Sequence, residues 1–334
     1  MQNNQEYRRD FTNYQEKETN PYYRKPGFDA GTILWPLLGI VFFFGTMFLA
    51  QVAGLVFAIL SDPVLRSSIE NADPLEVVTT LANVQVQQFS VVAIVYSIVQ
   101  IIALIFFLRF REKREKRYVL KEQAEGKTYL STTVITFGSL GIAMAWMFLI
   151  YLLAQVSKFW FEQMEIYEQM SSITSNENVL ITIISVCVLV PIAEELVFRG
   201  LVLSELRRVM PDWVGVIVTA VIFGIAHMNP IQSVYAAVCG IMFGLVYIWT
   251  ESIYQSIFMH IIFNFLGSGL NQILLKFGLE EAGQYLTYFY LVMIIPTIYL
   301  LIKLRNKNRG KSTKPIAIVR PEFEEAEAHA EVIS

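Results

Sequence analysis

The sequence predicts an all-α integral membrane protein, a polytopic bundle of about eight transmembrane helices with both termini in the cytoplasm. Of its 334 residues, 54% are hydrophobic and 16% are charged, and the mean hydropathy is +0.48. A soluble domain carries about 25% charged residues. The charges also crowd into the two tails and the linkers, which leaves long apolar runs between them. A low charge content that is segregated in this way indicates a chain that lies mostly in lipid.

The apolar runs are the predicted spans. A transmembrane helix needs about 20 consecutive, mostly apolar residues. The segments that fit this pattern, numbered spans one to eight, are 32–60, 88–108, 131–156, 178–205, 213–228, 231–250, 252–273 and 284–302. Span five is the shortest. Gly240 and Gly244 form a GxxxG motif in span six, which predicts close packing against another helix.

Lysine and arginine are concentrated in alternate linkers. They occur in the first 27 residues, in the linker 109–127, directly after span four at Arg207 and Arg208, and after span eight. The linkers between these are acidic or nearly neutral. Because cytoplasmic linkers carry the excess of positive charge, the alternation predicts an even number of spans with both termini cytoplasmic.

The chain divides into three parts. The polar segment 1–27 is predicted to be a disordered cytoplasmic tail, and since it lacks the apolar core of a signal peptide, span one is expected to direct insertion. Residues 28–302 form the transmembrane domain, and the tail 303–334, which changes from basic to acidic, is predicted to be disordered. The formal net charge of -3 and the lack of a basic surface argue against nucleic acid as a partner. Cys187 and Cys239 lie in apolar runs, which predicts buried thiols rather than disulfides or a cysteine zinc motif.

Charged and histidine side chains inside the predicted spans are confined to spans four, five and seven. Span four carries Glu194, Glu195 and Arg199 in the segment PIAEELVFRG. Span five carries His227, and span seven carries His260. A charged side chain at the centre of a bilayer costs about 2.5–3.5 kcal/mol on insertion scales, so such residues usually face the bundle interior and have a function. Their concentration on three helices is the main functional signal of the sequence.

Helix geometry places these side chains at similar depths. With a rise of about 1.5 Å per residue, Glu194 lies roughly 17 Å from the cytoplasmic end of span four, and His227 roughly 21 Å from that of span five. His260 and Asn264 share one face of span seven and lie roughly 12 and 18 Å deep. The four side chains are therefore expected to converge on one buried site.

The two glutamates of span four face different directions. Glu195 and Arg199 are four residues apart on one helix face, so they are expected to form an ion pair that supports the site. Glu194 is turned about 100° from Glu195, with no basic residue on its own side. Such an unpaired carboxylate suits a general base or acid. Pro191 cannot donate a backbone hydrogen bond, which predicts a kink next to the glutamates.

This set of side chains supports hydrolysis of an amide bond in either of two ways. In the first, Glu194 and His227 deprotonate a water molecule. His260 and Asn264 then stabilise the oxyanion. In the second, Glu194, His227 and His260 hold one zinc ion that activates the water. The sequence contains no HExxH and no GxSxG motif, and spacing alone leaves both routes open, with a cofactor of none or one zinc ion.

Three short motifs resemble those of a known family. EELVFRG is similar to EExxxR, FGIAH to FxxxH and HIIFN to HxxxN of the CPBP family, which comprises type II CAAX prenyl endopeptidases and the Abi proteins of bacteriocin processing and self-immunity. Their order, spacing and hydrophobic setting agree, and the resemblance covers about residues 178–270. It implies an intramembrane peptidase in which Glu194 and His227 activate water. It also implies that His260 and Asn264 form the oxyanion site.

The resemblance bears on cofactor, substrate and location as well. Members of the family are described both as metalloproteases and as glutamate-dependent enzymes, so zinc stays open. Eukaryotic relatives trim prenylated CAAX proteins, whereas many bacterial relatives act in peptide processing, immunity or regulation. The implied partner is a protein or peptide substrate in or at the membrane, and the expected location is a bacterial plasma membrane.

Functions of two other classes compete with a peptidase. A non-catalytic membrane scaffold or bacteriocin self-immunity protein would use the polar cluster only to bind a partner. A proton-coupled transporter would also carry intramembrane glutamate and histidine. It would be expected to show an inverted repeat with a second polar cluster, and spans one to three contain no such cluster.

Overall fold

The computed structural model describes residues 30–115, 119–120, 126–175 and 178–307. Within these ranges the chain forms twelve helices and no strand, which confirms the predicted all-α polytopic fold class. The predicted N-terminal tail and residues 308–334 lie outside the described residues. Residues 303–307, which belong to the predicted C-terminal tail, instead form the end of the last helix.

The described helices are numbered here in chain order. They are α1 Ala30–Ser61, α2 Pro63–Asn71, α3 Pro74–Gln87, α4 Phe89–Glu115, α5 Gly126–Ala154, α6 Lys158–Ser175, α7 Val179–Leu206, α8 Asp212–Ala226, α9 Pro230–Thr250, α10 Ile253–Lys276, α11 Glu280–Val292 and α12 Ile294–Lys307. α7 changes to the wider π-helical turn at Ile183–Leu189 and Leu196–Leu203, and α10 does so at Phe265–Gly269.

Among the described helices, six are long and apolar enough to cross a membrane: α1, α4, α5, α7, α9 and α10. α11 and α12 are bent by 41° and together make a seventh candidate. The remaining predicted span, 213–228, corresponds to α8, which has 15 residues. At 1.5 Å per residue α8 is about 22 Å long, shorter than a hydrocarbon core of about 30 Å. All eight predicted segments are therefore helical, but six of them, or up to seven, are full spans by length and composition.

Local breaks account for the difference. α8 ends before Met228, which adopts a left-handed conformation with a φ of 52°. Asn229 then caps α9 by accepting hydrogen bonds from two backbone N–H groups with its side chain. The break between α11 and α12 precedes Pro296, whose ring would clash with the carbonyl group of Val292 in a continuous helix.

Three described helices, α2, α3 and α6, lie in segments that the hydropathy pattern indicated only as linkers. Asp62 and Asp73 each accept hydrogen bonds from two backbone N–H groups at the start of α2 and α3. Pro63 and Pro74 follow them at the first helical position, where proline is favoured. The Asp-Pro pairs are thus a helix-start signal that a search for apolar spans passes over.

α7 is the central helix of the bundle. Its residues from Glu195 to Glu205 are all buried, and it packs against α1, α4, α8 and α10. The charged side chains of this buried segment, Glu195, Arg199 and Glu205, form ion pairs inside the bundle. Cys187 on α7 and Cys239 on α9 are buried free thiols, as predicted.

Glycines allow neighbouring helices to approach closely. Gly240 and Gly244 of α9 face Ala220 and Val216 of α8, at distances that leave little room for a larger side chain. The GxxxG motif therefore serves helix packing within the chain, in agreement with the sequence.

Gly141→Ala is expected to destabilise the bundle by about 1–3 kcal/mol. Gly141 lies where α5 meets α11, and an added Cβ would collide with the backbone of Tyr290, which cannot rotate away as a side chain can. Gly45→Ala on α1 is the matched control, because no atom lies within 4 Å of its Cβ position. Thermal unfolding of the two variants in detergent measures the difference, and equal unfolding temperatures would contradict the close contact.

The end of the bundle that carries the basic linkers is closed by buried ion pairs. Glu205 of α7 contacts Arg111 of α4 at 2.5 Å and Arg208 at 2.8 Å. Arg207 donates hydrogen bonds of 2.9 and 3.1 Å to the carboxylate of Asp212 at the start of α8. Basic residues at this end therefore hold helices together, in addition to being the predicted topology signal.

Candidate active site

The predicted catalytic side chains Glu194, His227, His260 and Asn264 line a common cavity of about 350 Å³. The cavity lies among α5, α6, α7, α9 and α10, with Phe89 of α4 and Phe223 of α8 also in its lining, and His227 reaches it from the turn after α8. Folding thus brings together side chains from the three segments in which the motifs were found.

Helix geometry next to the cavity departs from a regular α-helix. Glu194 and Glu195 end a short α-helical stretch, Val190–Glu195, that lies between the π-helical stretches of α7. Pro191 is the second residue of this stretch. The disturbance expected from its missing N–H group therefore takes the form of a wider turn directly before it. Such turns within α-helices are frequent at functional sites.

Glu195 is fully buried and lies behind the cavity wall. Its Oε1 is 2.7 Å from Arg199 Nη1 and 2.8 Å from His260 Nδ1, and its Oε2 accepts a hydrogen bond from the Ser256 hydroxyl. The Glu195–Arg199 ion pair agrees with the four-residue spacing. Ser256 belongs to none of the motifs. Its signal in the sequence is its position four residues before His260, which puts both on one face of α10.

Arg199 is only 1% exposed and connects α7 with α8 and α9. Its Nη2 donates to the carbonyl oxygen of Gly240 at 3.0 Å. Its guanidinium carbon lies 5.0 Å from the ring centre of Phe223 and 5.8 Å from that of Phe243. Aromatic ring faces attract a cation at such distances. Arg199 lies outside the cavity lining, where its ion pair with Glu195 holds that carboxylate in place.

His260 lies between the two glutamates. Its Nδ1 is 2.8 Å from Glu195 Oε1, and its Nε2 is 3.5 Å from Glu194 Oε2. Because a carboxylate accepts hydrogen bonds, Nδ1 carries a proton and Nε2 is the ring nitrogen directed at Glu194. The four-residue spacing predicts that His260 and Asn264 share one helix face. The contact of His260 with both glutamates, however, depends on how α10 packs against α7.

His227 is held by its own helix turn. Its Nδ1 lies 2.8 Å from the carbonyl oxygen of Phe223, and the two rings pack edge to face at 4.8 Å. A backbone carbonyl only accepts, so Nδ1 is the donor, and the lone pair of an uncharged ring in this orientation is at Nε2. Nε2 is therefore the atom of His227 that can accept a proton.

Asn264 joins α10 to α7 at the cavity wall. Its Nδ2 donates to the carbonyl oxygen of Val186 at 3.0 Å, within the first π-helical stretch of α7. A side-chain amide has two N–H donors. The second can serve a ligand in the cavity.

The predicted zinc ligands do not form a three-ligand site in this arrangement. In the part of the chain that the structure describes, no group of three His, Cys, Asp or Glu side chains is placed to hold a metal ion. Glu194 and His260 approach each other within 3.5 Å. His227, the third ligand of the zinc alternative, is not grouped with them.

Comparison with known proteins identifies the region that contains the site. Residues 176–266 match the family model of the Type II CAAX prenyl endopeptidase Rce1-like proteins. The matched range includes the glutamate pair, Arg199, both histidines and Asn264. No curated protein and no solved structure matches the chain. The chain is therefore a polytopic membrane protein in which residues 176–266 are similar to the Type II CAAX prenyl endopeptidase Rce1-like family.

Proposed function

We propose that this protein is an intramembrane endopeptidase of a bacterial plasma membrane, and that it hydrolyses a peptide bond of a membrane-associated protein or peptide with activated water. The observation that supports this best is the cavity shared by Glu194, His227, His260 and Asn264. The family match supports a CAAX-type endopeptidase at the level of the domain. The arrangement of the side chains favours the route in which glutamate and histidine activate the water directly.

In the first step, Glu194 and His227 orient a water molecule and remove its proton. His227 accepts a hydrogen bond from the water at Nε2, because its Nδ1 is engaged by the carbonyl of Phe223. Glu194 lies on the cavity wall, and its carboxylate takes the proton. The water oxygen forms a bond to the carbonyl carbon of the substrate, and the electron pair of the C=O bond moves to oxygen.

In the second step, the oxyanion is stabilised and the amine departs. The second N–H of Asn264 and the Nε2–H of protonated His260 donate to the oxyanion. Glu195, hydrogen-bonded to Nδ1 of the same ring, offsets its positive charge and orients it. Glu194 returns its proton to the leaving nitrogen. The C–N bond then breaks, which produces a new carboxyl terminus and a new amino terminus.

The experiment that tests the function compares peptide termini in membranes containing the wild-type protein with those containing Glu194→Gln at equal abundance. Termini that occur with the wild-type protein and vanish with Glu194→Gln would establish a peptidase and identify its substrates. Glu162→Gln is the matched control, because the same change is made on the exposed face of α6. Identical profiles for all three proteins across growth conditions would favour the scaffold or immunity function instead.

The variants His260→Asn and His260→Gln are expected to separate the roles of the two ring nitrogens. The amide nitrogen of Asn replaces Nδ1 and preserves the donor to Glu195, whereas that of Gln replaces Nε2. His260→Asn is expected to unfold near the wild-type temperature and to lose activity by about 10²-fold or more. His260→Gln removes a hydrogen bond from a buried carboxylate, so its unfolding temperature is expected to fall. Unfolding curves and initial rates measure both effects, and wild-type activity in His260→Asn would contradict the role of Nε2.

A further inference from the structure

The cavity extends toward one end of the bundle. On α7 its lining runs from Glu194 to Val190 and Val186, in steps of four residues toward the start of that helix. On α9 the lining lies between 232 and 243, and four of its five residues are in the half nearer to the start of the helix at Pro230. Because these helices both begin at the end of the bundle where α8 finishes, the two linings run in the same direction.

The other helices around the cavity agree with this direction. α5 contributes residues between 140 and 147, and α10 contributes residues between 260 and 268. In both helices the lining extends toward the C-terminal end. α6, which connects α5 to α7 at that same end of the bundle, adds Tyr167, Met170 and Ser171. The mouth of the cavity therefore lies beneath α6.

The opposite end of the bundle is filled by packed side chains. Beyond the glutamates, Phe198, Val202 and Leu203 of α7 are each 1% exposed or less. Further along, Glu205 is buried between Arg111 and Arg208. The site is thus separated from the basic linkers by an apolar layer and then by a layer of ion pairs.

The basic linkers indicate which side of the membrane each end faces. The linker 109–127 contains eight of the 26 lysines and arginines. Arg111, at its start, lies with Arg207 and Arg208 at the filled end. The linkers at the mouth end are acidic or nearly neutral. Positive charge marks the cytoplasmic side, so the filled end is cytoplasmic and the mouth faces the other side.

We infer that the substrate reaches the site from the non-cytoplasmic side of the membrane, beneath α6, as an apolar segment of an exported or membrane-anchored polypeptide. This inference rests on the proposed peptidase function. The wall between mouth and floor is mostly apolar and includes Phe89, Met144, Met147, Met170 and Phe263. Methionine side chains adapt to ligands of different shape. The C-terminal peptide of a cytoplasmic protein would instead have to cross the filled end.

Cysteine labelling with a membrane-impermeant maleimide tests the direction of access. Gln232→Cys places a thiol on the cavity lining. Val64→Cys on α2 and Asn306→Cys on α12 mark the two ends of the bundle at exposed positions. The wild-type protein, whose two cysteines are buried, gives the background. Each variant is labelled in intact and in permeabilised cells.

Labelling of Gln232→Cys and Val64→Cys in intact cells, with Asn306→Cys labelled only after permeabilisation, is the expected result. Labelling of Gln232→Cys only after permeabilisation, or on neither side, would overturn the inference. If Gln232→Cys does not elute from a size-exclusion column like the wild-type protein, and is therefore not properly folded, Ser171→Cys at the mouth is used in its place.

The labelling reaction needs no catalysis, so it is repeated on a Glu194→Gln background. If the labelling pattern is as expected but the peptide termini are the same with the wild-type protein and with Glu194→Gln, the peptidase function is contradicted and the inferred direction of access is still supported. Peptide termini that depend on Glu194, together with labelling from the cytoplasmic side only, would support the peptidase function and contradict the inferred direction of access.

Discussion

Glu194→Gln is expected to lower kcat/KM for peptide hydrolysis by about 10³-fold or more, because a side-chain amide cannot take the proton of the attacking water. The substitution preserves the shape of the side chain. Glu194 is partly exposed to the cavity, at 13%, and its Oε2 lies 3.5 Å from His260 Nε2, which is a long contact. The unfolding temperature is therefore expected to stay near that of the wild-type protein. Initial rates of the purified variant, on a peptide found by comparing membranes, measure the loss.

The matched control for this prediction is again Glu162→Gln, which is expected to keep wild-type turnover because Glu162 lies outside the cavity lining. Reduced rates in both variants would point to a general effect of lost negative charge. Wild-type turnover in a folded Glu194→Gln protein would show that Glu194 has no role in the reaction.

Arg199→Ala is expected to destabilise the protein by about 3–5 kcal/mol, the usual cost of leaving one member of a buried ion pair without its partner. Arg199 is the cation paired with Glu195, and both side chains are buried in the bundle. Alanine also removes the hydrogen bond to the carbonyl oxygen of Gly240 and the contacts with the rings of Phe223 and Phe243. A large fall in the unfolding temperature in detergent, with a lower yield of folded protein, is the expected measurement.

A second ion pair with the same four-residue spacing provides the control. Lys158 and Glu162 lie on the exposed surface of α6, with N and O atoms 3.6 Å apart. Exposed pairs contribute little to stability, so Lys158→Ala is expected to unfold like the wild-type protein. A well-folded and fully active Arg199→Ala variant would show that Glu195 needs no partner in the membrane.

The transmembrane helices could be predicted from the sequence because lipid requires long apolar runs with internally satisfied backbones. Every predicted span is helical, whereas the exact limits depend on local backbone chemistry. The turn at Met228 ends α8 two residues before the predicted end of span five, and span eight is divided into two helices just before the proline at 296. The short helices α2 and α3 are absent from the hydropathy pattern because their signal is a capping aspartate followed by proline.

The residues of the candidate site could also be predicted, since buried charge is costly and its positions stand out in apolar segments. The pairing of Glu195 with Arg199 follows from spacing within one helix. Contacts between helices do not follow in this way. The position of His260 against both glutamates, the bond from Ser256 and the direction of the cavity all depend on how α7 and α10 pack.

The wide turns on either side of the glutamate pair limit how the gene for this protein can change over generations. A π-helical turn reaches back five residues, as in the hydrogen bond from the Val190 N–H to the Ser185 carbonyl, so it contains one residue more than the α-helical turn that would replace it. Deleting a single codon within 183–189 would leave a helix long and apolar enough to cross the membrane. It would nevertheless replace the wide turn by an α-helical turn with one residue fewer. The geometry in which the carbonyl oxygen of Val186 accepts a hydrogen bond from Asn264 would then change, although the hydropathy of the helix would not. This stretch is therefore sensitive to changes in length that hydropathy does not detect.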